Sequence, residues 1–206
     1  MLFLTSNLDT CNEKKEEVNM LDKIIKETTG AVVAAIKGVD DILTALRNAV
    51  KSQVVGTLQN VGDVGKATLD EVVAVGIGAI KGAREVGTSI TEAASGTVRS
   101  LVVGVSEVGG DVITAAQKAT QGVISGAAEV GADLGKTAVA AVEGAISAAG
   151  EIGSDTAEAA KAAATGAINA ATKVGEDAGN AVKNALLSAA SLPRDVIEKV
   201  IKGSSK

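Results

Sequence analysis

The sequence predicts an all-α protein built around one very long, nearly continuous amphipathic helix. Three observations carry this prediction: a side-chain pattern that repeats every 22 residues, a composition dominated by small apolar residues, and a single proline, Pro193. Alanine favours the helix most strongly and proline disfavours it most strongly. A chain of 206 residues whose proline lies near its end therefore has few places where a helix must stop.

The repeat is clearest as a tripeptide of Asp or Glu, then Val or Ile, then Gly, which recurs every 22 residues between positions 63 and 175 and has Lys173 in place of the acid in its last copy. A second column of β-branched residues keeps the same step. The first column is Val64, Val86, Val108, Val130, Ile152 and Val174, and the second is Ile80, Val102, Ile124, Ile146 and Ile168. Because 22 is twice 11, and 11 residues over three turns give about 3.67 residues per turn, each column stays on one face of a continuous helix.

One segment of the repeat, Gly109-Gly110-Asp111, looks locally like a turn. The frame nevertheless continues in phase beyond it, which favours an uninterrupted rod. At about 1.5 Å per residue, residues 63 to 172 would form a rod about 165 Å long. A β-solenoid of 22-residue coils is the competing interpretation, but the high alanine content and the lack of period-two alternation argue against it.

The chain divides into three predicted segments. Residues 1–40 are richer in charge and in larger apolar residues, which predicts an N-terminal cap or adaptor. Residues 41–190 carry the repeat and form the rod. Residues 191–206 begin with a break at Pro193, after which we expect a short C-terminal helix and a tail.

The glycines of the repeat predict association with a partner. Each glycine inside a helix costs about 1 kcal/mol relative to alanine, so a helix with several glycines per repeat is unstable alone. We expect the two β-branched columns to face other copies of the chain or lipid, in a right-handed assembly of four or more helices. Close helix packing is assigned to the glycines of the tripeptide, which are Gly65, Gly87, Gly109, Gly131, Gly153 and Gly175.

The composition excludes several classes of function. There is no His, Tyr or Trp, and Cys11 is the single thiol, so an enzyme is not expected and no catalytic, cofactor or metal residues are assigned. A net charge of −5 and the lack of stacking aromatics argue against nucleic-acid binding. Acidic pairs such as Glu107 with Asp111 indicate a solvated stripe, with weak divalent-cation bridging as the alternative.

Two sequence features bear on location. The N-terminus turns polar after a few apolar residues, unlike a signal peptide, and no stretch approaches the roughly 18 consecutive apolar residues of a membrane span. We therefore expect a cytoplasmic protein.

The 11-residue frame of residues 41–190 resembles that of hendecad coiled-coil proteins, which form straight, right-handed, multi-stranded rods. The resemblance is one of periodicity. It implies a structural protein that assembles with itself, as a tetramer or larger oligomer, a stalk, a fibre or a tube.

Residues 135–145 also resemble the 11-residue amphipathic repeats of synucleins and perilipins, which lie on vesicles or lipid droplets. Those repeats carry Lys beside the apolar face, whereas this chain repeats acids such as Glu129 with Asp133. The alternative function is therefore binding to a lipid surface or droplet, or a helical barrel that holds an apolar ligand.

Overall fold

A computed structural model of the chain describes residues 5–36, 42–59 and 68–203, and every regular element in these ranges is an α-helix. The helices are α1 (Thr5–Ile36), α2 (Ile42–Gln59), α3 (Thr68–Glu85), α4 (Ile90–Glu107), α5 (Val112–Glu129), α6 (Leu134–Ile152), α7 (Thr156–Val174), α8 (Glu176–Ser188) and α9 (Arg194–Gly203).

The helices pack side by side in two layers. Helices α1 to α7 and α9 each pack most extensively against a helix two positions away along the chain, and α8 packs on both α6 and α7. Helices α1, α3, α5, α7 and α9 therefore form one layer, and α2, α4, α6 and α8 form the other. Consecutive helices contact each other across the layers. Helices α4 and α5 lie against each other although only four residues join them, so they run in opposite directions.

The prediction of an all-helical protein is confirmed, but the prediction of one long continuous helix is wrong. Repeats that were expected to continue a rod are instead separate helices of 18 or 19 residues, α4 to α7, each followed by a short turn. Eighteen residues make five turns of 3.6 residues, so the last side chain of each helix points in nearly the same direction around the helix axis as the first. The frame stays in phase through every turn because all the units have the same length.

The tripeptide of the repeat forms the C-terminal end of helices α3 to α6. Gly87, Gly109, Gly131 and Gly153 have φ angles of 76°, 76°, 68° and 80°, the left-handed conformation that closes a helix. In the turn after α5, the N–H of Ala132 donates to the carbonyl of Ala127 at 2.9 Å, which is the six-to-one bond of a Schellman motif. The segment at Gly109 therefore is a turn, contrary to the prediction.

The residue two places beyond each of these glycines begins the next helix. Ser89, Asp111, Asp133 and Asp155 are the N-caps of α4 to α7, and each side chain accepts a hydrogen bond from a backbone N–H in the first turn. The 22-residue unit is thus one helix, a glycine stop and a polar start.

Replacing Gly131 with alanine gives opposite results for a turn and for a continuous helix. An alanine at φ 68° costs about 1 to 2 kcal/mol, whereas alanine in a helix interior would stabilise the chain by about 1 kcal/mol. We expect a lower free energy of unfolding by urea, and a smaller loss for Gly131→Asn because Asn tolerates this conformation better. A stabilised alanine variant would contradict the turn.

The chain ends with the short helix expected after Pro193, which is α9. It packs on α7 and α8 through a buried Ile197. None of the helices within the described ranges has the length and apolar character needed to cross a membrane. The predicted division at residues 40 and 190 remains a prediction.

Candidate functional site

The closest contacts in the fold lie between helices of the same layer, where glycines meet backbone. A Cβ atom built on Gly122 of α5 would lie 2.9 Å from the Cα of Val73 in α3, and one on Gly126 would lie 3.1 Å from the Cα of Ile77. Both pairs are separated by 49 residues, so α3 and α5 run parallel. Only glycine permits an approach this close.

The same contact recurs in both layers. A Cβ atom on Gly144 of α6 would lie 3.0 Å from the Cα of Ser95 in α4, and one on Gly166 of α7 would lie 3.3 Å from the Cα of Gln117 in α5. Gly122, Gly144 and Gly166 are spaced by 22 residues. This column, which we call the packing glycines, joins α5, α6 and α7 each to the helix two positions earlier.

Side chains of the repeat's acidic column reinforce these contacts. The carboxylates of Glu107, Glu129 and Glu151 form ion pairs with bases of the helix two positions earlier, and the partners are Lys51 at 2.6 Å, Lys81 at 2.6 Å and Arg99 at 2.8 Å. All of these side chains are partly exposed, so each pair contributes less than about 1 kcal/mol. The acids noted in the sequence thus act as interhelical ion pairs and N-caps, and the described residues contain no group of three potential metal ligands.

The β-branched columns lie inside this single chain. Ile80, Val102, Ile124 and Ile168 are at most 1% exposed, and Ile146 is half-buried. Val86, Val108, Val130 and Ile152 are half-buried beside the turns, and Val174 is 55% exposed. Val64 and Gly65 lie outside the described residues. The self-association or lipid-facing role assigned to these columns stays a prediction, but the described side chains, except Val174, pack mainly within the bundle.

The glycines of the tripeptide do not make the close helix contacts. A Cβ atom on Gly87, Gly109, Gly131 or Gly153 would meet nothing within 4 Å, and the same is true of Gly175, whose backbone is extended. The packing glycines take that role instead. Their own 22-residue spacing was visible in the sequence, but glycine type alone does not distinguish a turn from a close contact.

The N-cap carboxylates make the fold sensitive to acid. Hydrogen bonds from the side chain and the backbone N–H of Thr114 lower the pKa of Asp111 below its usual value, and the backbone N–H of Lys136 lowers the pKa of Asp133. A lowered pKa in the folded state contributes stability above the unfolded pKa of about 3.9, and that contribution is lost as the pH falls through the folded value.

Replacing Asp111 with asparagine is expected to preserve the cap and remove its share of this acid sensitivity. At pH 7, Asp111→Ala should lower the free energy of unfolding by about 1 kcal/mol, and Asp111→Asn by much less. Urea titrations from pH 7 down to pH 2.5 should show that the wild-type advantage over Asp111→Asn shrinks as the pH falls below about 3.9. An equal loss for both variants at pH 7 would contradict the capping role.

For one buried acid, the pKa is shifted in the opposite direction. Glu71 is 5% exposed, its Oε2 atom has no hydrogen-bond partner, and burial raises its pKa. A raised carboxyl pKa opposes folding once the group ionises, so this residue's contribution is most favourable at low pH and is lost as the pH rises.

Two open clefts lie where the array ends. The cleft between α6 and α8 has a volume of about 470 Å³ and is lined by Val139, Ala140, Ala185, Ser188 and other residues of α4, α6 and α8. Ser188 occupies the next position in the column of packing glycines and is exposed. A second cleft of about 790 Å³ lies between α7 and α9, and the polar side chains Lys161, Thr165 and Asn169 of α7 line it.

The fold and these contacts define a class: a helical-repeat protein with one helix and one turn per repeat, in which alternate helices stack through glycines. Comparison of the chain with protein-family models, with curated proteins and with solved structures found no match.

Proposed function

We propose that this chain is a structural, non-catalytic helical-repeat protein, a rigid building block that associates with copies of itself. The observation that carries the proposal is the series of glycine-to-backbone contacts that runs through both layers. It extends from Gly78 and Gly82 of α3, which contact α1, to Gly166 of α7, which contacts α5. Repeat units that contact only their neighbours build stable arrays without needing a ligand or cofactor.

The arrangement of the apolar surface supports a structural role over a lipid-surface role. The β-branched and alanine faces that would lie on a droplet are packed between the two layers, as in α7, where Ala160, Ala164 and Ile168 are at most 1% exposed. Exposing them to lipid would require the bundle to open, at the cost of its interhelical contacts. The two clefts are open grooves, and the helices do not enclose a barrel.

Circular dichroism and vesicle flotation test this proposal. We expect full helicity in buffer, no change on adding phosphatidylcholine vesicles or triolein droplets, and no protein floating with either. The well-packed fold should also unfold cooperatively in urea. Helicity that appears only with lipid, or flotation of most of the protein, would overturn the structural role in favour of a lipid-surface function.

A further inference from the structure

The first helix of each layer has one side that no other described helix covers. Helix α1 packs on α2 and α3, and α2 packs on α1, α3 and α4. We call the uncovered sides of α1 and α2 the N-terminal edge. Helices α3 to α7 use the corresponding side to pack on the preceding helix of their layer, so this side of α1 and α2 has the residue pattern of a helix-packing surface.

Residues at this edge occupy positions that are buried elsewhere. Ala34 of α1 lies 44 residues before Gly78, in the column that continues to Gly122 and Gly166, and those three glycines are buried against the preceding helix of the layer. Ala34 itself is exposed. On α1 this position therefore holds a small residue in contact with solvent, whereas on α3, α5 and α7 it holds a buried glycine.

The same relation holds in the second layer. Ser52 of α2 is exposed and lies 44 residues before Gly96 of α4, which is buried, with a built Cβ atom 3.1 Å from Nε of Arg47 on α2. The next member of the column, Ala140 of α6, is 6% exposed. Ser52 belongs to a different column from the packing glycines, but each layer presents at this edge a small exposed residue whose counterparts on the next two helices of the layer are buried.

The opposite edge has lost this pattern. The packing glycines Gly122 and Gly166 contact the backbone of Val73 on α3 and Gln117 on α5. The next residue in that column is Lys161 on α7, which is charged. Helix α9 lies over part of that side and turns charged side chains such as Arg194 outward. An edge of this kind disfavours a head-to-tail filament, because the surface that would receive the next copy is polar and partly covered.

Other features of the N-terminal edge helices fit an interface. Among the described residues, the large apolar side chains that are exposed are Met20 at 52%, Ile42 at 37% and Val174 at 55%, and the first two belong to α1 and α2. Helix α1 also exposes both acids and bases, including Lys23 and Glu27. Mixed charges on one surface can pair with the same surface related by a twofold axis.

We propose that the N-terminal edge binds the N-terminal edge of a second copy of this chain, which forms a closed twofold dimer. The inference rests on the proposed structural function and names its partner. Helix α2 has 18 residues and is about 27 Å long, so two helices side by side offer about 500 Å² per chain. That area is below the roughly 800 Å² of a standard interface, so the expected dimer is weak, with a micromolar dissociation constant.

Sedimentation equilibrium of the full chain from 5 to 500 µM tests the proposal with two matched variants. The edge variant combines Ala34→Arg with Ser52→Arg. The control combines Ala181→Arg with Ser147→Arg, which makes the same replacements at exposed positions of α8 and α6. We expect a monomer–dimer equilibrium whose dissociation constant rises at least tenfold in the edge variant and less than twofold in the control. Circular dichroism must show equal helicity in all three proteins.

Three outcomes would overturn the dimer. These are a monomer at every concentration, an equal loss of association in both variants, and a series of masses that grows without limit, which indicates an open polymer. If the edge variant unfolds, Ala34→Glu with Ser52→Glu replaces it. If only the dimer proposal is wrong, the protein is still fully helical without lipid. If the structural function is wrong, most of the protein floats with the vesicles or droplets, so the two failures are distinguishable.

Discussion

Replacing Ile124 with alanine is expected to lower the free energy of unfolding by about 3 kcal/mol. The side chain is 0% exposed within one chain, so the loss combines the transfer of its methyl and methylene groups with the cavity left behind. The loss should be the same at 2 and at 200 µM protein. A residue buried between chains would instead give an effect that depends on concentration.

The matched control for this variant is Ile146→Ala, in the same column 22 residues later. Ile146 is only half-buried, so its replacement should cost about half as much. Urea denaturation followed by circular dichroism measures both. Equal losses in the two variants, or a loss for Ile124→Ala that changes with protein concentration, would contradict the intramolecular core.

Replacing Gly144 with alanine is expected to lower the free energy of unfolding by about 2 kcal/mol, although alanine favours the helix more than glycine does. The new Cβ atom would lie 3.0 Å from both the Cα and the carbonyl carbon of Ser95, which are backbone atoms that a rotamer change cannot move. Helices α4 and α6 must separate to admit it, and the ion pair between Arg99 and Glu151 lies on the same pair of helices.

Gly150, in the same helix, provides the control. It is exposed, and a Cβ atom there would meet only the Cγ2 atom of Thr156 at 3.8 Å. Gly150→Ala should therefore stabilise the chain by a few tenths to about 1 kcal/mol. Opposite signs for two glycine-to-alanine changes in α6 are the signature of the packing glycines. A stabilised Gly144→Ala variant would contradict the close approach of α4 and α6.

The sequence predicted the helical class, the repeat length and the helix after Pro193. It did not predict that the units fold back on one another. An uninterrupted helix and a series of 18-residue helices joined by short turns give the same apolar periodicity, because 18 residues complete five whole turns. The evidence for a turn was local: a glycine followed two residues later by Ser89, Asp111, Asp133 or Asp155.

The assignment of glycine roles failed for a related reason. Gly131 and Gly144 both recur at 22 residues, yet one adopts a positive φ at a turn and the other touches the backbone of α4. Glycine's missing Cβ suits it equally to both tasks. Which task applies depends on the backbone angle and on the neighbouring helix, and neither is visible in the residue type.

What the sequence determined by itself is the composition of the helix interfaces among the described residues: mostly alanine, glycine and β-branched residues, with a few leucines and no aromatics. Such small side chains allow the helices to pack closely. Only the tertiary structure decided where the partner helix comes from. The burial that compensates for the glycines is supplied by the same chain. A Schellman turn and an N-cap side chain follow each of the helices α3 to α6 and allow the next helix to return. Contacts between residues 49 positions apart, such as Gly122 with Val73, then replace the contacts between separate chains that the periodicity implied.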